Sequence, residues 1–225
     1  MRSWLVWGVG VFAYLVAVLH RTTFGVSGLA ATERFDIAPS VLSGFVVLQL
    51  IVYAGMQIPA GVLLDRFGSR KMIALGAVIM AVAQLVLATT DSLPIAYAGR
   101  VFVGVGDALT FVSVLRLVPV WFAPRRVPVV SQLTGILGQL GQVLSAVPFV
   151  LILSGQGWTA AYASAAALGI LACVLAVGII RDTPSGERME VPPAGLRNVL
   201  GQIGVVWRRP GTRLGFFTHM APSSR

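Results

Sequence analysis

The stretch "LHRTTFG" (residues 19–25) sets His20 and Arg21 in a run otherwise almost free of charge, and "GRVFVGVGDA" (99–108) does the same with Arg100 and Asp107. An ionised side chain at the centre of a hydrocarbon layer costs at least about 2.5–3.5 kcal/mol, so such groups face a water-filled cavity or a partner. Arg100 and Asp107 are seven residues apart. On a helix that means nearly one face and about 10 Å along the axis. The separation exceeds pairing distance; it suits two stations on one cavity wall, or two charges neutralised by other helices for packing. His20 changes charge near neutral pH and is a candidate coupling group, and a structural hydrogen bond suits it equally well. Gln49, Tyr53 and Gln57 recur at i, i+4 and i+8. That polar stripe either lines a path or bonds neighbouring helices.

Composition says what must hold these residues. Of 225 residues, 56% are hydrophobic and 11% charged, and the mean hydropathy is +0.86. Soluble domains carry roughly a quarter charged residues, so this balance points to a membrane protein. A crossing takes about 20 mostly apolar residues. The pattern predicts six helices, over residues 4–31, 41–64, 72–89, 94–122, 127–153 and 158–180. Short segments with turn residues join them: "RFDIAPS", "DRFGSRK", "TTDSLP", "APRRVP" and "SGQGW". The N-terminal run resembles a signal peptide in its single Arg2 and apolar body. Its apolar character continues to Ala31 and more such runs follow, so it reads as a retained first helix.

The formal charge of +9 does not point to nucleic acid, because the arginines lie between and after apolar runs rather than on a soluble domain. One set of helix ends carries Arg2, Arg66, Arg70, Lys71, Arg125, Arg126, Arg181 and Arg188; the other carries Arg34 beside Glu33, Asp36 and Asp91. With the basic side in the cytoplasm, both ends of the six-helix unit lie inside. The single Cys173 excludes an intrachain disulfide and reads as a small core residue. After Ile180, "RDTPSGERMEVPPAG" is linker-like. Leu196, Val199, Leu200, Ile203 and Val206 then recur at helical spacing with Arg197, Arg208 and Arg209, which predicts an amphipathic helix on the inner membrane surface. "RLGFFTHM" reads as the start of a seventh crossing.

In "GVLLDRFGSRK" (61–71) the basic residues follow from orientation, but Asp65 does not. It sits at a helix C-terminus, where the macrodipole is already negative and a carboxylate is unfavourable without a partner. Gly61 and Gly68 allow close approach and a tight turn. Here the chain resembles the major facilitator superfamily of secondary transporters, whose signature between helices two and three runs Gly, three residues, Asp-Arg, one residue, Gly and a basic pair. Gly61, Asp65, Arg66, Gly68 and Arg70 match, and Ser69 takes the first basic position. The resemblance implies that Asp65 belongs to a conformational gate and faces a helix N-terminus in the second half of the protein. That half is absent from this sequence, so the expectation is a missing partner.

Arg100, Gly104, Gly106 and Ala108 resemble the family's fourth-helix pattern, with Asp107 less expected. "HRTTFGVSGLA" is similar to the first helix of the organic-anion branch, where an acid precedes the arginine; His20 stands in its place, so the coupling chemistry does not transfer. Arg21 falls about 25 Å from the inner end of the first helix and Arg100 about 9 Å below the outer end of the fourth. The two arginines thus share a depth and suit an anionic substrate such as a carboxylate, nitrate or phosphate ester. In helix five, Gly135, Gly138 and Gly141 are candidates for close helix packing, as are Gly104 and Gly106 in helix four. The Gly-Pro pair of the family's drug–proton antiporters is absent there, since Val147 precedes Pro148.

The expectation is therefore an all-α membrane protein, the N-terminal six-helix half of such a permease. Its domains are a bundle over 1–180, a cytoplasmic linker with the amphipathic helix over 181–213, and a stub of a truncated seventh helix over 214–225. No sequence repeat is visible, yet the resemblance implies inverted repeats of three helices. It also implies alternating access at the midplane between two halves. The site candidates for substrate or coupling ion are His20, Arg21, Arg100, Asp107, Gln49 and Tyr53. Expected partners are a small solute, the bilayer and a second half from another chain or copy. No cofactor, metal or nucleic acid is expected, beyond a proton or other coupling ion. No P-loop, metal-ligand spacing or Ser–His–Asp set suggests an enzyme. The alternatives are a multidrug efflux antiporter, a truncated product without transport activity, and a non-transport membrane partner. The plasma membrane is the expected location.

Overall fold

The computed structural model describes residues 2–184 and 208–214. The first unit, Met1–Glu190, holds helices that are long and apolar enough to cross a membrane six times, and no strand occurs among the described residues. The first span is α1 (Arg2–Val26), continued after Ser27 by α2 (Gly28–Phe35). The second is α3 (Pro39–Phe67), the third α4 (Ser69–Thr89) and the fourth α5 (Leu93–Trp121). The fifth runs through α6 (Val127–Leu144), a π-helical segment Ser145–Phe149 and α7 (Val150–Gln156). The sixth is α8 (Trp158–Ile179).

The expected "DRFGSRK" loop shrinks to one residue. α3 runs on to Phe67, and α4 begins at Ser69. Gly68 between them has φ +83°, a left-handed conformation that glycine adopts without cost. In the fifth span Pro148 has no amide hydrogen to give to the preceding turn. The helix widens there into a π-turn instead of breaking.

Packing places α3, α5, α1 and α6 side by side in one row, with α4 and α8 paired behind them. Exchanging α1 with α5, α3 with α6–α7, and α4 with α8 maps the principal contacts onto one another: α3–α5 onto α6–α1, and α4–α5 onto α8–α1. Three crossings per unit start the second unit from the opposite side, so the two triplets are inverted. This is the repeat that side-chain identity had hidden. At the end away from most arginines, Arg34 ties three connections together. Its Nε donates to the Thr90 carbonyl at 3.0 Å and its Nη2 pairs with Asp91 at 2.9 Å. Its guanidinium also lies over the Trp158 ring.

The second unit, Val191–Arg225, is described over 208–214, where the Thr212 and Arg213 amides bond back to the Arg209 carbonyl. The amphipathic helix expected from Leu196 to Val206, and the seventh-span stub beyond Leu214, lie outside the described residues.

Candidate functional site

α1 and α5 pack together in the middle of the four-helix row, and their charges meet there. Arg21 Nη1 donates to Asp107 Oδ2 at 3.2 Å. Asp107 stands about 21 Å from the start of the 29-residue α5, near its midpoint. Its side chain is fully buried, while that of Arg21 keeps 21% of its surface exposed. Tyr53 of α3 offers its ring to the Arg21 guanidinium at 5.9 Å, and Tyr14 of α1 lies beside it. Asp107 Oδ1 is buried without a hydrogen-bond partner among the described residues. The site thus holds an accessible cation whose carboxylate partner has a second oxygen to spare.

Arg100 does something else. Two readings are open for it, a station on a cavity wall with Asp107 or a charge held by other helices for packing, and its side chain is enclosed, with 1% exposed. Its Nη1 donates to the His20 carbonyl at 3.2 Å and its Nη2 to the Arg21 carbonyl at 2.7 Å, and Nη2 also bonds Gln49 Oε1. The Phe24 ring lies under it at 5.3 Å. Arg100 therefore straps α5 to the backbone of α1 and, through Gln49, to α3. Sequence spacing gave both arginines one depth, but depth does not say which of them faces outward.

His20 is likewise turned inward. Its Nε2 donates to the Ala165 carbonyl of α8 at 2.8 Å. The ring is packed so tightly that a Cβ on Gly169 would stand 2.9 Å from its Cε1. The Nε2 bond is the contact that the structural reading expects, while Nδ1 is buried without a hydrogen-bond partner among the described residues. Gln84 of α4, passed over in the sequence, donates to the His20 carbonyl at 3.2 Å and to Thr23 Oγ1 at 3.3 Å. A lone glutamine in "MAVAQLVLA" was the available signal. The polar stripe of α3 divides: Gln49 is buried against Arg100, Tyr53 meets Arg21, and Gln57 folds back on the Tyr53 carbonyl of its own helix.

At the basic end, Asp65 has a partner within this chain. Arg116 of α5 donates from Nη1 to Asp65 Oδ1, a contact other than the second-half helix N-terminus that the resemblance implies. Arg116 lies about 8 Å inside the end of α5 and was readable as a charge in need of a carboxylate. Asp182, after α8, accepts from the Arg70 amide at 2.8 Å, at the first turn of α4. The Arg70 guanidinium donates to the Val177 carbonyl at 2.5 Å. A Cβ on Gly68 would stand 2.8 Å from the Asp182 carboxylate. Arg66 lies over the Phe67 ring, and Gly61 has open space where a side chain would be, so no close approach explains that glycine among the described residues.

The sequence pattern of the family described as the Major Facilitator Superfamily matches residues 10–223. The chain belongs to that superfamily. A probable sulfoacetate transporter of Cupriavidus necator is 23% identical over 222 residues, covering 95% of this chain and 52% of the relative. A methylenomycin A resistance protein of Bacillus subtilis is 25% identical over 193 residues, covering 84% of this chain and 40% of the relative. The chain spans about half the length of the curated relatives it matches, or less. Its fold superposes on the crystal structure of a POT family transporter in complex with 5-aminolevulinic acid, with a TM-score of 0.65 and 15% identity. That match covers 96% of this chain and 48% of the other.

The glycines of this superfamily member sort by what a side chain would strike. On Gly106 it would lie 2.7 Å from the Gly76 carbonyl, and on Gly104 2.9 Å from the Gln49 carbonyl. On Gly138 it would enter the Tyr14 ring, and on Gly141 it would run into the α1 backbone at the Leu15 carbonyl. These are close helix contacts of the kind membranes favour. Gly135 is not one of them, since nothing lies within 4 Å. At 100° per residue Gly135 points 120° away from Gly141, so a three-residue glycine spacing cannot keep all of them on one seam.

Proposed function

We propose that the chain is the N-terminal half of a secondary transporter for a small anion, with Arg21 as the anion-binding group and Asp107 as the proton-coupling group. The observation that carries this reading is the Arg21–Asp107 pair, buried on the carboxylate side and open on the arginine side. An intramembrane charge pair of this kind is functional by default. The names of several relatives fit, the sulfoacetate transporter among them. In this mechanism a proton taken up at Oδ1 neutralises Asp107, which frees Arg21 to hold the solute. Return of the proton restores the pair and expels the anion. The basic ends face the cytoplasm, and a second half, from a longer chain or another copy, packs on the row formed by α3, α5, α1 and α6. Tyr53 and Tyr14 flank the anion. Arg100, Gln49 and His20 hold the framework and do not touch the solute.

The test is flux into proteoliposomes carrying the protein, with an anion panel and with or without an inward proton gradient. Saturable uptake that rises with the gradient and is lost in Arg21→Gln is expected. Uptake unaffected by Arg21→Gln would overturn the assignment.

A further inference from the structure

The back of the bundle carries charges that the solute site does not use. α4 and α8 pair behind the four-helix row, on the side away from the face assigned to a second half. On α4, Leu75, Val78, Val82 and Leu85 are exposed. Lys71 and these four recur at i, i+4, i+7, i+11 and i+14, which is one face of a helix. On α8, Ile170, Val174 and Val177 are exposed at the same spacing, and Arg181 follows four residues after Val177. α4 starts at the basic end and α8 finishes there, so each apolar stripe is headed by a cation at that end.

Two contacts bring these heads together. The bond from the Arg70 amide to Asp182 Oδ1 sets the chain neighbours of both residues, Lys71 and Arg181, at one corner. The bond from the Arg70 guanidinium to the Val177 carbonyl lays the first turn of α4 against the last turn of α8. Trp121 Nε1 donates to the Arg181 carbonyl at 3.1 Å, which fixes the backbone just past α8. Lys71 and Arg181 are exposed, and neither side chain has an ion pair among the described residues. Three cations thus share the corner with one carboxylate, Asp182, because nearby Asp65 is taken by Arg116.

We propose that this corner binds the headgroup of an anionic phospholipid, with its phosphate between Lys71, Arg181 and the outer edge of Arg70 and its acyl chains along the stripes of α4 and α8. Phosphate oxygens suit a guanidinium fork and an ammonium together. At a membrane surface each Lys or Arg strengthens binding of anionic lipid about fivefold. A soluble anion meets the same charges but gains nothing from the apolar stripes. A zwitterionic lipid brings its own ammonium to a corner already in positive excess. The site requires only that the spans cross a bilayer, and it stands or falls independently of the solute.

The experiment measures lipid binding to the purified full chain in neutral detergent micelles by native mass spectrometry, with dioleoylphosphatidylglycerol against dioleoylphosphatidylcholine. Phosphatidylglycerol should bind about tenfold or more tightly. Lys71→Gln and Arg181→Gln should each weaken it about fivefold, and the two together about twenty- to thirtyfold. Arg125→Gln with Arg126→Gln removes the same charge from another exposed connection at the basic end, and should change binding less than about threefold. Equal losses in the two pairs mean general attraction to a basic surface and overturn the site. Equal binding of the two lipids also overturns it. Displacement of the lipid by glycerol 3-phosphate at equal concentration would make the corner a site for soluble phosphate, and that overturns the lipid assignment. Thermal unfolding in the same micelles checks each variant; if the double variant does not fold, the two single variants decide, and unchanged binding in both overturns the site.

Discussion

Replacing Arg100 with methionine separates a strap from a binding group. Methionine keeps the length and apolar stem of arginine and removes the guanidinium. Three acceptors lose their donor: the His20 carbonyl at 3.2 Å, the Arg21 carbonyl at 2.7 Å and Gln49 Oε1. Side-chain hydrogen bonds between membrane helices contribute about 0.6 to 1.7 kcal/mol each, so the loss sums to about 2–5 kcal/mol. Two considerations place the result in the lower half of that range. The carbonyls keep their bonds within α1, and Thr23 and Gln84 still donate to His20. Removing a buried cation also recovers part of its desolvation cost. Arg100→Lys should recover about a third of the loss, since one ammonium does not span acceptors that a planar guanidinium reaches together.

The comparison variant is the double substitution Arg21→Met with Asp107→Asn, which removes both charges of the pair and leaves neither stranded. It should unfold within about 1 kcal/mol of the parent and bind no anion. The assay is denaturant titration of the purified chain in mixed micelles, followed by the fluorescence of its five tryptophans. Anion binding is measured on the same samples. The reasoning is refuted if Arg100→Met unfolds with the parent while losing anion binding, because the guanidinium would then be contacting solute and not backbone.

The glycine contacts make a sharper contrast within one helix. Gly141→Val should destabilise by several kcal/mol because its Cβ meets the α1 backbone. Gly135→Ala, facing open space, should be neutral or stabilise by up to about 1 kcal/mol in the same titration. For Asp65 and Arg116, both partly exposed at 35% and 23%, a double-mutant cycle should give a coupling of about 0.2–1 kcal/mol. A value near zero would remove Arg116 as the partner. Topology is checked by single cysteines at Asp36, Asp91 and Arg125 in a Cys173→Ala background. The first two should react with an impermeant maleimide from the side opposite to the third, and labelling of all three from one side would refute the six-span path.

The spans are legible because a bilayer admits only helices and closed barrels, and unbroken apolar runs of about 20 residues, without the alternation of barrel strands, select helix. Their ends are less so. The sequence puts the start of the third helix at Met72, because Arg70 and Lys71 look like loop residues, yet α4 begins at Ser69 and carries both in its first turn. The left-handed Gly68 and the Asp182 carboxylate on the Arg70 amide make that start possible. Asp182 is 112 residues from Arg70, so only the folded topology shows the contact. The same holds for Asp65 and Arg116, 51 residues apart. Arg21 and Asp107 were each singled out from the sequence, but their pairing was not. The seven-residue spacing drew attention to Arg100 and Asp107 on one helix, whereas the carboxylate is answered from another. A helical wheel shows which residues share a face and not what stands opposite.

The packing also bears on where motion occurs. Nearly all the principal contacts, α4 with α5, α3 with α5, α1 with α6, α1 with α8 and α4 with α8, run between the two inverted triplets and not within them. Glycine removes the side chain at several of these crossings, as at Gly106 against Gly76 and Gly141 against α1. Arg100 ties α5 to α1 at the centre. Pulling one triplet from the other would break the backbone-close contacts that hold both, so the six spans are built to move as one body. A conformational change that spares this bundle has to act across its outer surface. The row of α3, α5, α1 and α6 is the part of that surface where Arg21 keeps its exposure. Under the transport mechanism proposed above, a solute that alters the Arg21–Asp107 pair would change the charge on that outer surface without disturbing the packed interior behind it.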